Sequence, residues 1–387
     1  MTCKDHIEQF IRKYGPVSFR EYMNFCLYNP LYGYYTGSHT AIGANGDFYT
    51  MPCVSSLYGE LLTRQIVELW KILGSDTISI VEYGGANGKL CNDIMNCVQQ
   101  TYPDLYPFVH YYIIDVSIKK PILWSHKNVE WLTSGKSLRH LTATVLSNEL
   151  IDNFPVHRVF MKNELLEIFV DTRNGNFVEK LQPASALLNQ YFRELGIILP
   201  NGFKTEINIP AIQWINEVAG FLDRGFVITI DYGFDSGELY QPHRREGTLV
   251  CYHRHKINYD PYINPGKQDI TTHVNFSSLA HWGEMAGLNF NGYTNQHYFL
   301  RSLGLCSSLR PVQKIAAEKI TIQENLLLTH FFGDFALKMK VLIQQKAVPV
   351  THLSGMNFQL RHPLIPVNSK NHSRHNNLLH VFKTAAK

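Results

Sequence analysis

The sequence contains no long hydrophobic run and no pair of closely spaced cysteines. None of its apolar stretches approaches the ~18 to 20 residues of a transmembrane helix, so we expect no membrane span. Its first residues, Met1 to Glu8, have neither the apolar core of a signal peptide nor the arginine-rich character of a transit peptide. Seven cysteines without a C-x-x-C pair argue against a disulfide framework and a zinc site. These absences predict a cytoplasmic protein with reduced thiols and no bound metal.

Acidic residues are missing from the end of the sequence. From residue 335 onward there is no Asp or Glu, whereas Lys and Arg supply eight positive charges. A basic tail can contact nucleic acid or an acidic partner. The polar composition from Asn368 onward instead favours a solvated, flexible tail over residues 351–387. We therefore do not expect a nucleic-acid partner.

What the sequence does contain is an alternation of strand-like and helix-like segments. This pattern predicts an α/β protein with a parallel sheet, whose strands are expected at 78–83, 111–115, 129–132, 142–147 and 226–233. Further along the chain, 248–253 and 288–293 are expected to close the sheet as an antiparallel edge, and residues 311–346 to be mostly helical.

The alternation is interrupted between Phe154 and Arg224. A hairpin around Asn174-Gly175 and two helical segments in this interval predict an inserted cap over the ligand edge of the sheet. The expected organisation is a helical and loop region over the cofactor, a first part of the core, the inserted cap, a second part of the core, C-terminal helices and the basic tail. The corresponding ranges are 1–75, 76–153, 154–224, 225–300, 301–350 and 351–387.

A glycine-rich loop follows the first strand, in the segment Ile78 to Gly88. Gly84, Gly85 and Gly88 allow a tight turn and a close approach of the backbone to a ligand. Asp115 ends the second strand and can accept hydrogen bonds from both ribose hydroxyls of an adenosyl group. The sequence therefore predicts a nucleoside-like cofactor. The alternative is a plain strand followed by a flexible turn.

The loop favours S-adenosylmethionine over NAD. It reads G-G-A-N-G, with Ala86 where the dinucleotide fingerprint has a glycine, and is thus a poor cradle for a pyrophosphate. Glu82 at the end of the first strand would repel a pyrophosphate and attract a cationic ligand. NAD stays open as the less favoured cofactor.

Several segments together resemble the MidA family of class I S-adenosylmethionine-dependent methyltransferases. The matching segments are Pro16 to Met23, Asn29 to Tyr35, Gly46 to Thr50, Tyr58 to Glu60, the cofactor loop, Asn148 to Asp152 with Pro155 and Val156, Ile230 to Gly233, and Asp269 to Phe276. The resemblance implies a Rossmann-like fold with a mostly parallel seven-strand sheet, helical flanks and an inserted α+β cap. It also implies S-adenosyl-L-methionine as cofactor and a protein arginine as acceptor, since the family includes a mitochondrial complex I assembly factor that methylates arginine.

The resemblance also implies roles for individual residues. Glu149 and Asp152 are the candidate catalytic residues, because two carboxylates can clamp a guanidinium that stays protonated. The alternative is that Asn148, otherwise grouped with the cofactor-binding residues, caps a short helix whose first turn carries both acids. Asp47 is expected to fold over the cofactor with its loop, or else to form only a tight turn.

One departure from the family pattern bears on activity. The family has a proline and a glycine where this chain has Gly85 and Ala86. The Ala86 methyl group disfavours positive φ and is expected to weaken cofactor binding. The main hypothesis is a protein arginine N-methyltransferase that acts on a protein, such as a subunit of complex I. The rivals are a cofactor-binding assembly chaperone without turnover and a methyltransferase acting on a small molecule.

Overall fold

The computed structural model describes residues 1–37, 50–117, 126–308 and 330–360 of the 387-residue chain. Its strands in these ranges are β1 (Val17–Ser18), β2 (Ile78–Tyr83), β3 (Val109–Ile114), β4 (Val129–Leu132), β5 (Leu141–Asn148), β6 (His157–Lys162), β7 (Glu164–Arg173), β8 (Asn176–Pro183), β9 (Lys204–Ile207), β10 (Leu222–Phe234), β11 (Val250–His253), β12 (Lys256–Asn258), β13 (Asp269–Thr271), β14 (Val274–Asn275), β15 (Asn289–Asn295) and β16 (Met339–Lys346).

The helices lie mostly between these strands, on either side of the main sheet. They are α1 (Cys3–Tyr14), α2 (Phe19–Tyr28), α3 (Met51–Val54), α4 (Leu57–Leu73), α5 (Lys89–Thr101), α6 (Ala186–Glu194), α7 (Ile209–Phe221), α8 (Ser236–Leu239), α9 (Phe276–Met285), α10 (Gln296–Ser302), α11 (Leu305–Ser308) and α12 (Asp334–Lys338). None of the helices in the described ranges is long and apolar enough to cross a membrane.

The main sheet has eight strands, one more than the seven predicted. Seven follow the order β15-β16-β10-β5-β2-β3-β4, and the two-residue strand β14 pairs with the end of β10. Neighbours from β4 to β10 run parallel, whereas β16 is antiparallel to both β10 and β15. The carboxyl ends of β2, β3, β5 and β10 therefore meet at one edge of the sheet.

Two predictions about this sheet were wrong. The segment 248–253 does not close its edge, because β11 forms a separate sheet of order β12-β11-β13. Of the range 311–346 that was expected to be mostly helical, residues 311–329 lie outside the described residues and α12 is helical, but residues 339–346 form β16 between β10 and β15. β16 is buried along almost its whole length. Its buried residues Lys340, Gln344 and Gln345 make the segment too polar to be recognised as a central strand.

The sheet is covered on both faces, as is usual for parallel strands. In β10, Phe226, Ile228 and Ile230 belong to one hydrophobic cluster, which includes residues of α4 and α5. Val227 points the other way, into a cluster that includes residues of α6, α7 and α9. Successive side chains of a strand alternate between its two faces. The apolar residues of β10 therefore pack against the helices on both faces of the sheet.

Residues 157–207 supply four strands of a second sheet, whereas α7 and the start of β10, also within the predicted cap interval 154–224, belong to the main sheet and its helical layer. β6 to β9 and the N-terminal strand β1 build a five-stranded sheet in which β7 pairs with β1, β6 and β8. The hairpin between β7 and β8 turns at Asn174 (φ 52°) and Gly175 (φ 74°), as predicted. Both residues have positive φ, the conformation that the favoured two-residue hairpin turns require.

The N-terminal helices close this end of the molecule. α1 and α2 each begin with a capping box, formed by Thr2 with Asp5 and by Ser18 with Glu21. Their apolar residues form a third hydrophobic cluster with residues of β7, β11 and β13. The chain that follows α2 is thereby held close to the edge where β2, β3 and β5 end.

Part of the predicted tail lies against the core. Leu353 and Met356 are buried, and the backbone N–H of Ser354 donates to the carboxylate of Glu68 in α4. Residues 351–360 are thus packed, in contrast to the prediction for the tail. The rest of the tail, 361–387, lies outside the described residues.

Candidate active site

The main pocket lies where the parallel strands β2, β3 and β5 end. It has an empty volume of about 1160 Å³ including its open mouth, and its lining includes Glu82, Gly84, Gly85, Ala86, Asp115, Asn148 and Glu149. Ligands of open α/β sheets bind at this carboxyl edge. The structure therefore brings together every predicted cofactor residue except Asp47, which lies outside the described residues, and Gly88, which begins α5 directly beyond the loop.

The glycine loop turns by means of left-handed residues. Gly84 and Gly88 both have φ 77°, and Ala86 has φ 49°. A side chain at Gly85 would overlap Ile113, so glycine is required there for a close fit against β3. Ala86 thus adopts the positive φ that its methyl group disfavours, at a cost of about 1 to 2 kcal/mol.

Asp115 holds this loop against the end of β3. Its Oδ2 accepts a hydrogen bond of 2.8 Å from the backbone N–H of Ala86, and its Oδ1 accepts one of 2.8 Å from the N–H of Ser117. An ionised carboxylate has about four acceptor positions. Asp115 can thus bind hydroxyl groups in the pocket while it fixes the loop.

Glu82 lies on the floor of the pocket and is 3% exposed. The hydroxyl of Tyr111 donates to its Oε2 over 2.8 Å. Burial raises the pKa of Glu82 to about 7, in spite of this hydrogen bond. Since a cation in the pocket would favour the ionised form, Glu82 is suited to a positively charged ligand, as predicted from its position.

Glu149 and Asp152 lie in the turn after β5, and Asp231 of β10 holds this turn in place. The Asp231 Oδ2 accepts from the backbone N–H groups of Leu150, Ile151 and Asp152, over 3.2, 2.8 and 3.4 Å. Glu149 itself has φ 51°, a strained value for a residue with a long side chain. Strain maintained by three hydrogen bonds is typical of functional sites.

The alternative that Asn148 caps a helix is wrong. Residues Ile151–Asn153 form only one turn of 3-10 helix, which has no side-chain cap. The Asn148 Oδ1 instead accepts from the hydroxyl of Tyr58 over 2.5 Å, and its Nδ2 donates to Glu149 over 3.2 Å. Asn148 therefore positions Glu149 at the pocket.

A second, smaller pocket adjoins the first, and we call it the acceptor chamber. Its lining comprises Glu149, Asp152, Asn153, Tyr232, Val250, Tyr252, Asp269, Thr271, Thr272 and His273. Glu149 and Asn153 line both pockets. Asp152 and Asp269 are 6% and 2% exposed, whereas Glu149 is half-buried because it faces the pockets.

Two acids of the acceptor chamber, Glu149 and Asp152, have a higher pKa than free carboxyl groups. Burial raises the pKa of Glu149 to about 8, and Asp231 adds to this by repulsion. The pKa of Asp152 is raised by burial and then by the charges of Asp231, Asp269 and Glu149. Within the described residues, no hydrogen-bond donor reaches the Oδ1 of Asp152. A cation entering the chamber would relieve this repulsion.

A chain of hydrogen bonds connects the two pockets, and sequence reasoning missed it. The hydroxyl of Tyr28 donates to Asn153, the Nδ2 of Asn153 donates to the Tyr35 hydroxyl over 2.9 Å, and that hydroxyl donates to Asp269 over 2.8 Å. The rings of Tyr28 and Tyr35 are stacked, with centroids 5.6 Å apart, and both line the main pocket. The available signal is the density of tyrosines from Tyr28 to Tyr35, most of which lies in one of the segments that resemble the MidA family.

The comparisons with known proteins agree with this geometry. A family model described as "Putative S-adenosyl-L-methionine-dependent methyltransferase" matches residues 61–294. The chain is similar to a solved structure from Burkholderia thailandensis, described as a "likely methyl transferase" bound to S-adenosyl-homocysteine. The TM-score is 0.81 at 28% identity, and the similarity covers 92% of this chain and 95% of that one.

Relatives with assigned names point in the same direction. The chain is 25% identical over 333 residues to the protein arginine methyltransferase NDUFAF7 homolog, mitochondrial, of Drosophila melanogaster, covering 75% of this chain and 72% of that protein. It is 27% identical over 364 residues to protein arginine methyltransferase NDUFAF7, mitochondrial, of Rattus norvegicus, covering 83% and 78%. The predicted cytoplasmic location is contradicted by these relatives, which are named as mitochondrial proteins.

Proposed function

Since the chain belongs to the family of S-adenosyl-L-methionine-dependent methyltransferases, as its resemblance to MidA indicated, we propose that it methylates an arginine of a protein. S-adenosyl-L-methionine is its cofactor. The acid lining of the acceptor chamber and the names of the relatives support an arginine as the methyl acceptor.

The residues of the main pocket fit the cofactor. The loop from Gly84 to Asn87 lines the pocket, where its glycines let a ligand approach the backbone, and Asp115 is placed to accept hydrogen bonds from the ribose. Glu82 supplies negative charge where a cationic group is expected. When bound, the cofactor supplies an electrophilic methyl group on a sulfonium.

The observation that carries the proposal is the acid lining of the acceptor chamber. Three carboxylates, those of Glu149, Asp152 and Asp269, line a space that adjoins the cofactor pocket. A guanidinium has five N–H donors and keeps its charge, because its pKa is above ~12. Paired carboxylates can hold it by charge-assisted hydrogen bonds and orient one nitrogen towards the main pocket.

We assign to Glu149 the role of accepting the proton that the arginine loses. The attacking nitrogen loses one proton when it gains a methyl group. With a pKa of about 8, Glu149 can bind that proton near neutral pH, which is the requirement for a general base. Asp152 also lines the chamber and is placed to hold the rest of the guanidinium.

The acceptor is proposed to be a protein, because the relatives are named protein arginine methyltransferases. The resemblance to a complex I assembly factor makes a subunit of that complex the first acceptor to test. A second candidate function is a cofactor-binding assembly chaperone without turnover. Ala86 favours it, since its φ of 49° strains the loop that holds the cofactor.

Methyl transfer with mapping of the modified residue tests the proposal. The protein is incubated with tritiated S-adenosylmethionine and purified complex I subunits, and the labelled residue is located by mass spectrometry. We expect label on arginine, lost when Asp152 is changed to Asn. Label on another residue type would refute the arginine assignment. Cofactor binding without any transfer would favour the chaperone.

A further inference from the structure

The small sheet β12-β11-β13 has a face that leads from solvent into the acceptor chamber. Tyr252 of β11 pairs with Ile257 of β12 on one side and with Asp269 of β13 on the other. Directly opposite residues of antiparallel strands project from the same face. Ile257, Tyr252 and Asp269 therefore form a row across the sheet.

The lining of the chamber identifies which face this is. Val250, Tyr252, Asp269 and Thr271 all line the chamber. Cys251 lies between the first two and projects to the opposite face, into the hydrophobic cluster of the N-terminal helices. Ile257 consequently lies at the outer end of the face that lines the chamber.

The exposed fraction of the side chains falls along the row from Ile257 to Asp269. Ile257 is 59% exposed, Tyr252 is half-buried and Asp269 is 2% exposed. Tyr259, the second residue after Ile257, is 75% exposed. An isolated exposed apolar residue needs no explanation. Here Ile257 lies in the same row as Tyr252 and Asp269, which line a chamber whose inner end is acidic.

We propose that this face docks an extended segment of the protein acceptor, with an apolar side chain on Ile257 and Tyr259 and the arginine passing over Tyr252 towards Asp269. The inference rests on the proposed arginine methylation. It adds a recognition element, because the target arginine then has an apolar neighbour at a set distance. Ile257 and Asp269 are two strand spacings apart, about 10 Å, which an extended chain covers in about three residues.

The chemistry of the row favours this occupant over a small molecule. The inner end offers carboxylates to a cation, and the Tyr252 ring can hold a guanidinium by a cation–π contact. A small-molecule acceptor would need only the acidic inner end of the row. The outer apolar end is useful only to a ligand that reaches from the chamber to β12, as a polypeptide does.

Binding of two peptides tests the surface separately from the chemistry. Both are short glycine-serine peptides with one arginine, and one has leucine at the third position from it where the other has serine. Affinity is measured by calorimetry in the presence of S-adenosyl-homocysteine, which cannot transfer a methyl group. We expect the leucine peptide to bind about 10-fold more tightly to the wild type, from burial of one aliphatic side chain.

The test variant is Ile257→Ser, and the matched control is Ile198→Ser. Ile198 is 94% exposed and lies in the inserted cap, away from the chamber lining. We expect Ile257→Ser to abolish the preference for leucine and Ile198→Ser to retain it. The surface is refuted if the preference is absent in the wild type, if it survives Ile257→Ser, or if neither peptide binds.

Methyl transfer to the same peptides distinguishes the two proposals. If the leucine preference holds but no methyl group reaches arginine, the proposed function fails and the docking surface stands. If arginine is methylated without a leucine preference, the function stands and the docking surface fails.

Discussion

Replacing Glu149 with Gln should lower activity and raise stability at alkaline pH. Glutamine keeps the size of the side chain and can still accept from the backbone N–H of Met51, which donates to Glu149 over 3.2 Å. It removes the charge that the proposed clamp requires. Loss of one charged partner of a guanidinium costs about 3 kcal/mol, so methyl transfer should fall about 100-fold.

The effect on stability follows from the raised pKa. The folded pKa of Glu149 is about 8, against 4.5 for an unperturbed glutamate. The native state therefore keeps a proton that the unfolded state releases, and the wild type loses stability as pH rises from about 4.5 to about 8. The full shift would correspond to about 5 kcal/mol. We expect about half of that, because one side of Glu149 still faces the solvent-filled pocket.

Two measurements check this prediction. Urea unfolding at pH 5 and at pH 9 should show Glu149→Gln gaining stability relative to the wild type at the higher pH. The rate of methyl transfer should rise towards pH 8 in the wild type and lose that dependence in the variant. Glu130→Gln, at an exposed position of β4, is the control and should change neither. Full activity in Glu149→Gln would refute the clamp, and unchanged pH dependence of stability would refute the raised pKa.

Three further changes test other parts of the site. Asp115→Ala should weaken binding of S-adenosyl-homocysteine by about 1.5 to 3 kcal/mol in calorimetry, through lost hydrogen bonds to a charged acceptor; an unchanged affinity would contradict the ribose contact. Ala86→Gly should stabilise the protein by about 1 kcal/mol in urea unfolding by relieving the left-handed strain, and a loss of stability would show that the alanine methyl group packs usefully. Asp231→Ala should cost about 2 kcal/mol in urea unfolding, because the backbone N–H groups of the turn after β5 lose their acceptor, and stability equal to that of the wild type would mean that the turn does not depend on Asp231.

The cofactor side of the site could be predicted because its signals are local. The glycine loop, Glu82 and Asp115 each directly follow or end a strand, and the carboxyl ends of parallel strands meet at one edge. Three short stretches of sequence were therefore enough to predict that these residues lie close together.

On the acceptor side, Glu149 and Asp152 were named from the sequence, but the residues that surround them could not be predicted because their contacts are distant in sequence. Tyr35 and Asp269 are 234 residues apart, and nothing in either segment indicates the other. The strand β16 was missed for a different reason. Its glutamines are buried, and Gln345 satisfies its amide locally by donating to the carbonyl of Val348 over 2.9 Å. A polar strand of this kind has no hydrophobic periodicity to recognise.

The position of β16 also limits how the chain can fold during synthesis. β10 ends at Phe234, yet its second neighbour in the sheet begins only at Met339. Until that strand emerges from the ribosome, β10 and β15 each expose an unpaired edge, which invites aggregation. The nascent chain thus carries an open sheet while residues 235–346 are being made. A premature stop before residue 339 would release a protein with an intact cofactor loop and no means of closing its core.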